Sequence, residues 1–127
     1  MDIVAALFVE NINFRQVEGP STRIDITGAF FSTRALEFPA HLSPHLVVLV
    51  RVPKTDASGS GTLETRFVTE TGAEVGRNVQ QFEVEPGKFG YRLVKGELDF
   101  DAPGTIEAHC TITETGSSVV VPLTVIP

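Results

Sequence analysis

Two side chains with reactive potential stand next to each other in the stretch TIEAHCTIT: the single cysteine, Cys110, and one of the three histidines, His109. A nucleophilic cysteine needs a nearby base or cation that favours the thiolate, and it needs access to a substrate. Apolar and polar residues alternate here as they do on a strand, where neighbouring side chains point to opposite faces. We therefore predict that Cys110 packs in the core, that His109 faces outward, and that the two do not form a catalytic pair.

A second candidate is the pair His41 and His45 in the stretch HLSPH. Histidines four residues apart share one side of a helix and bind zinc together in many proteins. Pro44 excludes that helix here, and neither a cysteine nor a third ligand at a matching spacing accompanies the pair. The sequence therefore favours two surface histidines over a zinc site.

Acidic pairs separated by one residue form the third candidate, at Glu83 and Glu85 and again at Asp99 and Asp101. Such carboxylates share a face of a strand and could bind calcium at a loop, although neither stretch supplies the six or more oxygen ligands that calcium takes. A glycosidase also uses two carboxylates, but no sequence pattern fixes their separation here. We interpret all four first as solvated strand ends, and keep calcium or ligand binding as the alternative function.

Motifs of common enzyme classes are missing from the sequence. It holds no G-x-S-x-G nucleophile elbow and no glycine-rich loop that cradles phosphates. It also contains no tryptophan and one tyrosine, whereas sugar binding by stacking needs exposed aromatic rings. We therefore predict a protein with no catalytic residues, no cofactor and no enzyme activity.

Composition narrows the class of protein and of partner. The 127 residues, of which 42% are hydrophobic and 20% charged, suit one globular domain spanning residues 1–127. The net charge is −6 and no basic run could neutralise several phosphates, which disfavours nucleic acid and anionic membranes as partners. The apolar run from Ile3 to Val9 is too short for a signal peptide or a membrane span. A lone cysteine cannot form an internal disulfide, so we expect a cytoplasmic protein.

Alternation of apolar and polar residues recurs along the chain, in stretches such as TRIDITGAF, QFEV and VVVPLTV, and turn residues separate these runs. The pattern predicts an all-β protein with eight or nine short strands in a two-sheet antiparallel β-sandwich, immunoglobulin-like or related. The nearly continuous apolar stretch 45–52 predicts a central strand. Pro122 predicts an edge or a bulge in the last strand. The stretch TETGAE predicts a hairpin turn in which Gly72 takes positive φ. The stretch VKGE predicts a bulge or a tight turn, with Gly96 as the conformationally permissive residue.

A central strand at 45–52 leaves Val47 and Leu49 in need of cover, from the partly apolar connection 31–45 or from a second subunit. An uncovered apolar surface or strand edge favours association with another chain. The first functional hypothesis is therefore a non-enzymatic module that acts through protein-protein contact or self-association, with a protein partner or as a homo-oligomer. Its candidate interaction residues are Val47, Leu49, Phe38, Val121 and Leu123.

Several stretches follow one another in a distinctive order: AALFVENI, EGPSTRIDITGAFF, FP at Phe38 and Pro39, LVVLVRV, ETGAEV and APGTIEAHCTITETGSSVVVPLTV. In this order the chain resembles a family of small uncharacterised bacterial proteins of about this length, grouped as a domain of unknown function. The resemblance covers nearly the whole chain and implies the sandwich fold, but it implies no activity and no functional residues. Members usually carry a lysine or another residue pair where this chain has Gly19 and Pro20.

Overall fold

The structure, a computed structural model, describes residues 1–19 and 21–127; Pro20, where the chain differs from the family it resembles, lies outside the described residues. This described part contains no helix that is long and apolar enough to cross a membrane. Its regular elements are eleven strands: β1 (Asp2–Val17), β2 (Ser21–Ala29), β3 (Ser32–Arg34), β4 (Ala40–Leu42), β5 (His45–Arg51), β6 (Ser60–Thr69), β7 (Glu74–Glu83), β8 (Phe89–Lys95), β9 (Leu98–Phe100), β10 (Gly104–Ile112) and β11 (Ser118–Ile126).

The prediction of an all-β protein is confirmed, but the predicted count of eight or nine strands is too low. Three of the eleven strands, β3, β4 and β9, have only three residues each. Alternation needs about four residues to be recognised, so a sequence pattern cannot reveal strands of this length. Two of them lie within the segment predicted as the longest connection.

The strands form three sheets. The four-stranded sheet has the order β2-β1-β5-β8, the five-stranded sheet has the order β3-β11-β10-β6-β7, and β4 pairs with β9 in a two-stranded sheet. Neighbouring strands run antiparallel, except for β11 and β3, which run parallel. The order places β2 and β8 at the two edges of the four-stranded sheet, where one side of each strand has no neighbour.

Buried apolar side chains from all three sheets form one hydrophobic cluster, and we call the sheet faces that contribute to it the inner faces. Thr65 is the one buried polar residue of the described part. Its hydroxyl donates to the sulfur of Cys110 at 4.0 Å. Fully buried members of the cluster include Phe8, Leu46, Leu63, Leu98, Ile112 and Leu123.

Two local predictions are confirmed. The stretch 45–52 supplies β5, which lies between β1 and β8 and is therefore an internal strand. TETGAE forms the turn between β6 and β7, where the N–H of Gly72 donates to the carbonyl of Thr69 at 2.9 Å. Gly72 has φ +87°, a backbone conformation that glycine adopts without strain.

Two other predictions hold only in part. β11 lies between β10 and β3, but β3 pairs only with residues 124–126, so the strand has a free edge at Pro122, as predicted. Near VKGE no bulge restores the strand. The chain instead leaves the four-stranded sheet at Lys95 and enters the two-stranded sheet at Leu98, while the N–H of Gly96 donates to the carbonyl of Pro44 at 2.8 Å. The change of phase reflects a change of sheet.

The first strand is longer than its apolar run suggests and has two partners. Residues 2–9 of β1 pair with β5, and residues 9–17 pair with β2. The second half of β1 and all of β2 therefore form a hairpin that extends the four-stranded sheet, and we call residues 9–17 together with β2 the hairpin arm. The apolar run of the sequence stops before Glu10, but the strand continues through this charged residue to Val17.

Candidate functional site

The predicted orientation of the His109–Cys110 pair is confirmed. Cys110 is 0% exposed and belongs to the hydrophobic cluster. Burial raises the pKa of its thiol to about 11, so the nucleophilic thiolate is disfavoured. His109 lies on the other face of β10, with Nε2 3.3 Å from Oε1 of Glu107. The thiol and the imidazole are on opposite sides of the sheet, and the imidazole cannot deprotonate the thiol.

Three titratable side chains lie together at the two-stranded sheet, where His41 contacts both Glu97 and Asp99. His41 on β4 stands directly opposite Asp99 on β9. Nδ1 of His41 is 2.7 Å from Oδ1 of Asp99, and Nε2 is 2.8 Å from Oε2 of Glu97. Sequence reasoning missed this cluster because His41 was compared with its neighbour His45, whereas its partners come from a distant part of the chain. No local signal could have revealed the pairing.

The cluster favours the protonated form of His41. Hydrogen bonds to Asp99 and then to Glu97 raise the pKa of His41. The hydroxyl of Ser43 donates to Glu97 at 2.8 Å, and this bond and the one from His41 lower the pKa of Glu97. Ser43 also lies 3.1 Å from Nε2 of His41, but a serine nucleophile needs a neutral imidazole that accepts its proton. The arrangement therefore serves as an exposed ionic link between β4 and β9.

The sequence favoured two surface histidines at His41 and His45 over a zinc site, and the structure gives His41 other partners. Carboxylates engage both ring nitrogens of His41, which leaves neither of them for a metal shared with His45. Within the described residues, no group of three or more histidine, cysteine, aspartate and glutamate side chains could hold a metal ion. The interpretation of His41 and His45 as separate histidines stands on this geometry.

The two acidic pairs lie at opposite ends of the molecule. Glu83 stands opposite Ser60 at the start of β6 and accepts a hydrogen bond from its hydroxyl at 3.2 Å. Asp99 and Asp101 line an open pocket that also includes Thr69, at the other end of β6. Ten residues of extended strand span roughly 30 Å, so the pairs cannot contribute ligands to one calcium ion.

A cavity of about 590 Å³ is an open groove whose lining includes Glu83 and Glu114. The carboxylate of Glu114 accepts hydrogen bonds from the hydroxyl and the backbone N–H of Thr62, both at 2.8 Å, and these bonds lower its pKa. The neighbouring pocket contains Glu85. The acidic groups of the groove are thus solvated or already bonded within the chain.

The residues predicted to form an interaction surface are largely inside the fold. Val47 is 2% exposed and Leu123 is 0% exposed, so neither is accessible to another chain. Phe38 and Val121 are partly buried against the hydrophobic cluster. Leu49 is half-buried on the outer face of the four-stranded sheet. Val47 lies on the same outer face, so Leu49 is the one residue of this face among the five that is still partly exposed.

The cover over Val47 and Leu49 does not come from the segment 31–45, one of the two sources that the sequence suggested. It comes from the hairpin arm of the same chain, whose Ile26 lines an apolar cavity of about 170 Å³ together with these two residues. The ring of Phe14, also on the arm, lies 6.2 Å from the ring of Tyr91 on β8. The arm therefore leans across the outer face of its own sheet.

The hairpin arm presents an apolar face that its own sheet covers only in part. Ile12 pairs with Ile26 and Phe14 pairs with Ile24, so all four side chains lie on one side of the arm, and we call them the arm face. Phe14 is 56% exposed and Ile26 is 43% exposed. Sequence reasoning missed Ile12 and Phe14, although NINF continues the alternation beyond Glu10.

The outer face of the five-stranded sheet has the opposite character. Four charged side chains on β6 and β7 form a network, in which Arg77 lies 3.2 Å from Glu74 and 3.7 Å from Glu64. Arg66 lies 3.7 Å from Glu74 and 3.9 Å from Glu64. Val79 and Val120 are also exposed on this face, but paired charges lie on it as well and suit it to water. The arm face is the better candidate for recognition of another molecule.

In the comparisons with known proteins, no protein-family model matches this chain and no curated protein shows significant similarity to it.

Proposed function

We propose that this chain is a non-enzymatic β-sandwich module that acts by contact with another protein chain through the hairpin arm. The sandwich is supported by the shared core: Leu46 and Val48 of the four-stranded sheet belong to the same buried cluster as Leu63 and Leu123 of the five-stranded sheet. Two sheets that bury their inner faces against each other form the architecture of immunoglobulin-like and related sandwiches.

The observation that carries the proposal is the exposed arm face beside Tyr91. Phe14 and Ile26 keep about half of their surface in water, and Tyr91 is 37% exposed next to Phe14. Aromatic residues are enriched in protein interfaces, and contiguous apolar surface is uncommon on proteins that bind no other chain. Burial of these side chains by a second chain would release that surface from water.

The geometry of the titratable groups supports a role without catalysis. The thiol of Cys110 is sealed in the core with a raised pKa. The imidazole of His41 faces two carboxylates, and the hydroxyl of Ser43 donates to one of them rather than to the ring. Neither group has the arrangement that nucleophilic catalysis needs.

The test places a photo-crosslinking amino acid at Phe14 in the full chain, expressed in its native cells. The matched control carries the same amino acid at Val120, which is 48% exposed on the outer face of the five-stranded sheet. We expect a discrete adduct at Phe14, identified by mass spectrometry, and none at Val120. Absence of an adduct at Phe14, or equal adducts at both positions, would end the proposal.

The proposed compartment is the cytoplasm, on the ground that the one cysteine is a free, buried thiol. The proposed partner is a protein and not a nucleic acid or a membrane, because the net charge of −6 disfavours contact with anionic surfaces. Membership of the bacterial family that the chain resembles remains part of the same proposal. Calcium binding at the acidic strand ends stays a prediction, which calorimetry with calcium on Asp99→Asn and Asp101→Asn tests.

A further inference from the structure

The hairpin arm ends in a strand edge that no described strand covers. β2 is the outermost strand of the four-stranded sheet, and its nine residues are mostly exposed. At the base of the arm the N–H of Phe30 donates to the carbonyl of Phe8 at 3.0 Å. Hydrogen-bonded and non-hydrogen-bonded pairs alternate along an antiparallel ladder. Along the pairs from Asn11–Thr27 to Val17–Ser21, every second residue of β2 therefore directs its backbone N–H and C=O to the free edge.

The charges on this edge are unbalanced within one chain. Arg23 stands directly opposite Arg15 on β1, which places two positive charges side by side. Arg15 is already paired with Asp25, its Nη2 lying 3.0 Å from Oδ1 of that residue, and this bond lowers the pKa of Asp25. Arg23 forms no ion pair in the described part of the chain, where Arg15 and Asp25 satisfy each other. A negative charge beside Arg23 has to come from outside.

We propose that two copies of this chain associate by antiparallel pairing of their β2 strands, centred on Ile24, so that Arg23 of each copy faces Asp25 of the other. This inference rests on the proposed function, because it names the partner of the same contact surface. The pairing joins two four-stranded sheets through their arms by a two-fold axis, which makes the interface the same on both copies.

The charges select the register. With Ile24 opposite Ile24, Arg23 of each copy stands directly opposite Asp25 of the other. Centring the pair on Arg23 would place Arg23 opposite Arg23, and centring it on Asp25 would place two aspartates together. Like charges directly opposite destabilise strand pairs, and opposite charges stabilise them.

The pairing also makes the arm face continuous. Ile24 pairs with Phe14 within one chain, so the row across the dimer reads Phe14, Ile24, then Ile24 and Phe14 of the second copy. Strand pairing alone buries less surface than the roughly 1,200–2,000 Å² of a stable interface. We therefore expect a weak dimer, with a dissociation constant of roughly 10 µM to 1 mM.

The experiment is sedimentation velocity on the full chain over roughly 1 µM to 2 mM. The wild type should show a monomer–dimer equilibrium, and Arg23→Glu should weaken it at least about tenfold, because it places like charges opposite each other twice. The double variant Arg23→Asp with Asp25→Arg restores opposite charges both between copies and beside Arg15. It should recover the wild-type constant within about threefold.

Arg34→Glu is the matched control, because Arg34 is exposed on the edge strand β3 and forms no ion pair in the described chain. It carries the same charge reversal and should leave the dimer unchanged, and circular dichroism should show the same melting curve for Arg23→Glu as for the wild type. A wild type that stays monomeric throughout, or equal weakening by Arg23→Glu and Arg34→Glu, overturns the β2 pairing. An adduct at Phe14 with a different protein alone would also overturn it, while upholding the proposed contact function.

Discussion

Strand β1 passes through two environments, which differ in how much of a phenylalanine side chain they leave exposed. Phe8 lies in the half that pairs with β5 and is 1% exposed in the shared core. Phe14 lies in the half that pairs with β2 and is 56% exposed on the arm. Phe8 faces the core, whereas Phe14 lies beside Tyr91, which stands opposite Leu49 on the outer face of the sheet. The ladder is irregular between the two halves, where Gly28 has φ +68° and no pair joins it to Glu10.

The two edges of the four-stranded sheet also differ in whether side chains of the neighbouring sheet bind to them. At the β8 edge, Nε2 of Gln80 on β7 donates to the carbonyl of Leu93 at 2.7 Å, and Arg92 donates to Oε1 of Gln80 at 2.9 and 3.1 Å. The guanidinium of Arg92 lies 5.7 Å from the ring centre of Phe82. Side chains thus close this edge against the neighbouring sheet. The β2 edge belongs to the arm and has no such closure in the described chain. We call the rest of the fold, which holds the shared core, the body, and we propose the arm for recognition.

The largest expected difference between body and arm is in thiol labelling. Cys110 is fully buried with a pKa of about 11, whereas a cysteine introduced by Thr27→Cys would stand exposed on β2. In native protein we expect a thiol reagent to modify the introduced cysteine at least about a thousandfold faster than Cys110, because labelling of Cys110 requires unfolding of the body. Mass spectrometry after timed quenching measures both rates. Rapid labelling of Cys110 in the wild type would contradict the sealed core.

The second difference is in stability. Phe8→Ala should lower the free energy of unfolding by about 3–5 kcal/mol, since it removes a buried ring and leaves a cavity. Phe14→Ala should lower it by about 1 kcal/mol or less, because that ring loses only the contact with Tyr91. Urea denaturation of dilute protein gives both values. Similar losses for the two variants would remove the distinction between body and arm.

A smaller effect should separate the two edges. Gln80→Ala leaves the carbonyl of Leu93 and the guanidinium of Arg92 without their partner, and we expect a loss of about 1–2 kcal/mol. Arg23→Ala at the open edge should change the free energy of unfolding by no more than about 0.5 kcal/mol. The same denaturation assay applies. If Arg23→Ala proved the more costly change, the β2 edge would not be free in the monomer.

The smallest effect is a pH dependence confined to the two-stranded sheet. The raised pKa of His41 means that its contribution is complete below the ordinary histidine pKa and is lost as pH rises through the folded value. The lowered pKa of Glu97 means that its contribution is present above the ordinary glutamate pKa and is lost as pH falls through the folded value.

The stabilisation by this cluster is therefore greatest between those two ordinary values. His41→Gln should melt below the wild type at about pH 5.5 and together with it at about pH 8.5. The melting temperatures of both proteins across this range provide the measurement. A difference that grows towards alkaline pH would show that His41 is held neutral.

The sequence predicted the structure correctly where interactions between neighbouring residues determine it. The alternation around Cys110, the apolar run of β5 and the glycine turn after β6 each predict a feature that the chain adopts over a few residues. It failed where distant segments meet. The link from His41 to Asp99 joins residues from separate strands, and the closure of the β8 edge depends on Gln80 from the other large sheet.

The arm shows the same limit most clearly. The sequence identified Val47 and Leu49 as residues that need cover, but it could not say that the cover is Ile26 of a hairpin earlier in the chain. It also predicted Leu123 and Val47 as contact residues because hydrophobic character does not distinguish a core position from an exposed one. Only the tertiary structure shows that residues of the arm face are exposed.

The sequence by itself determined that the chain forms strands, that Cys110 points to the opposite side from His109, and that several turns stand at glycines. These properties depend on backbone sterics and on a two-residue repeat, which act between neighbours in the chain. Only the tertiary structure decided which apolar rows are covered, which edges are closed and which charges meet. Those outcomes depend on the packing of one sheet against another. The two-residue repeat along a single strand does not show whether a second sheet covers that strand.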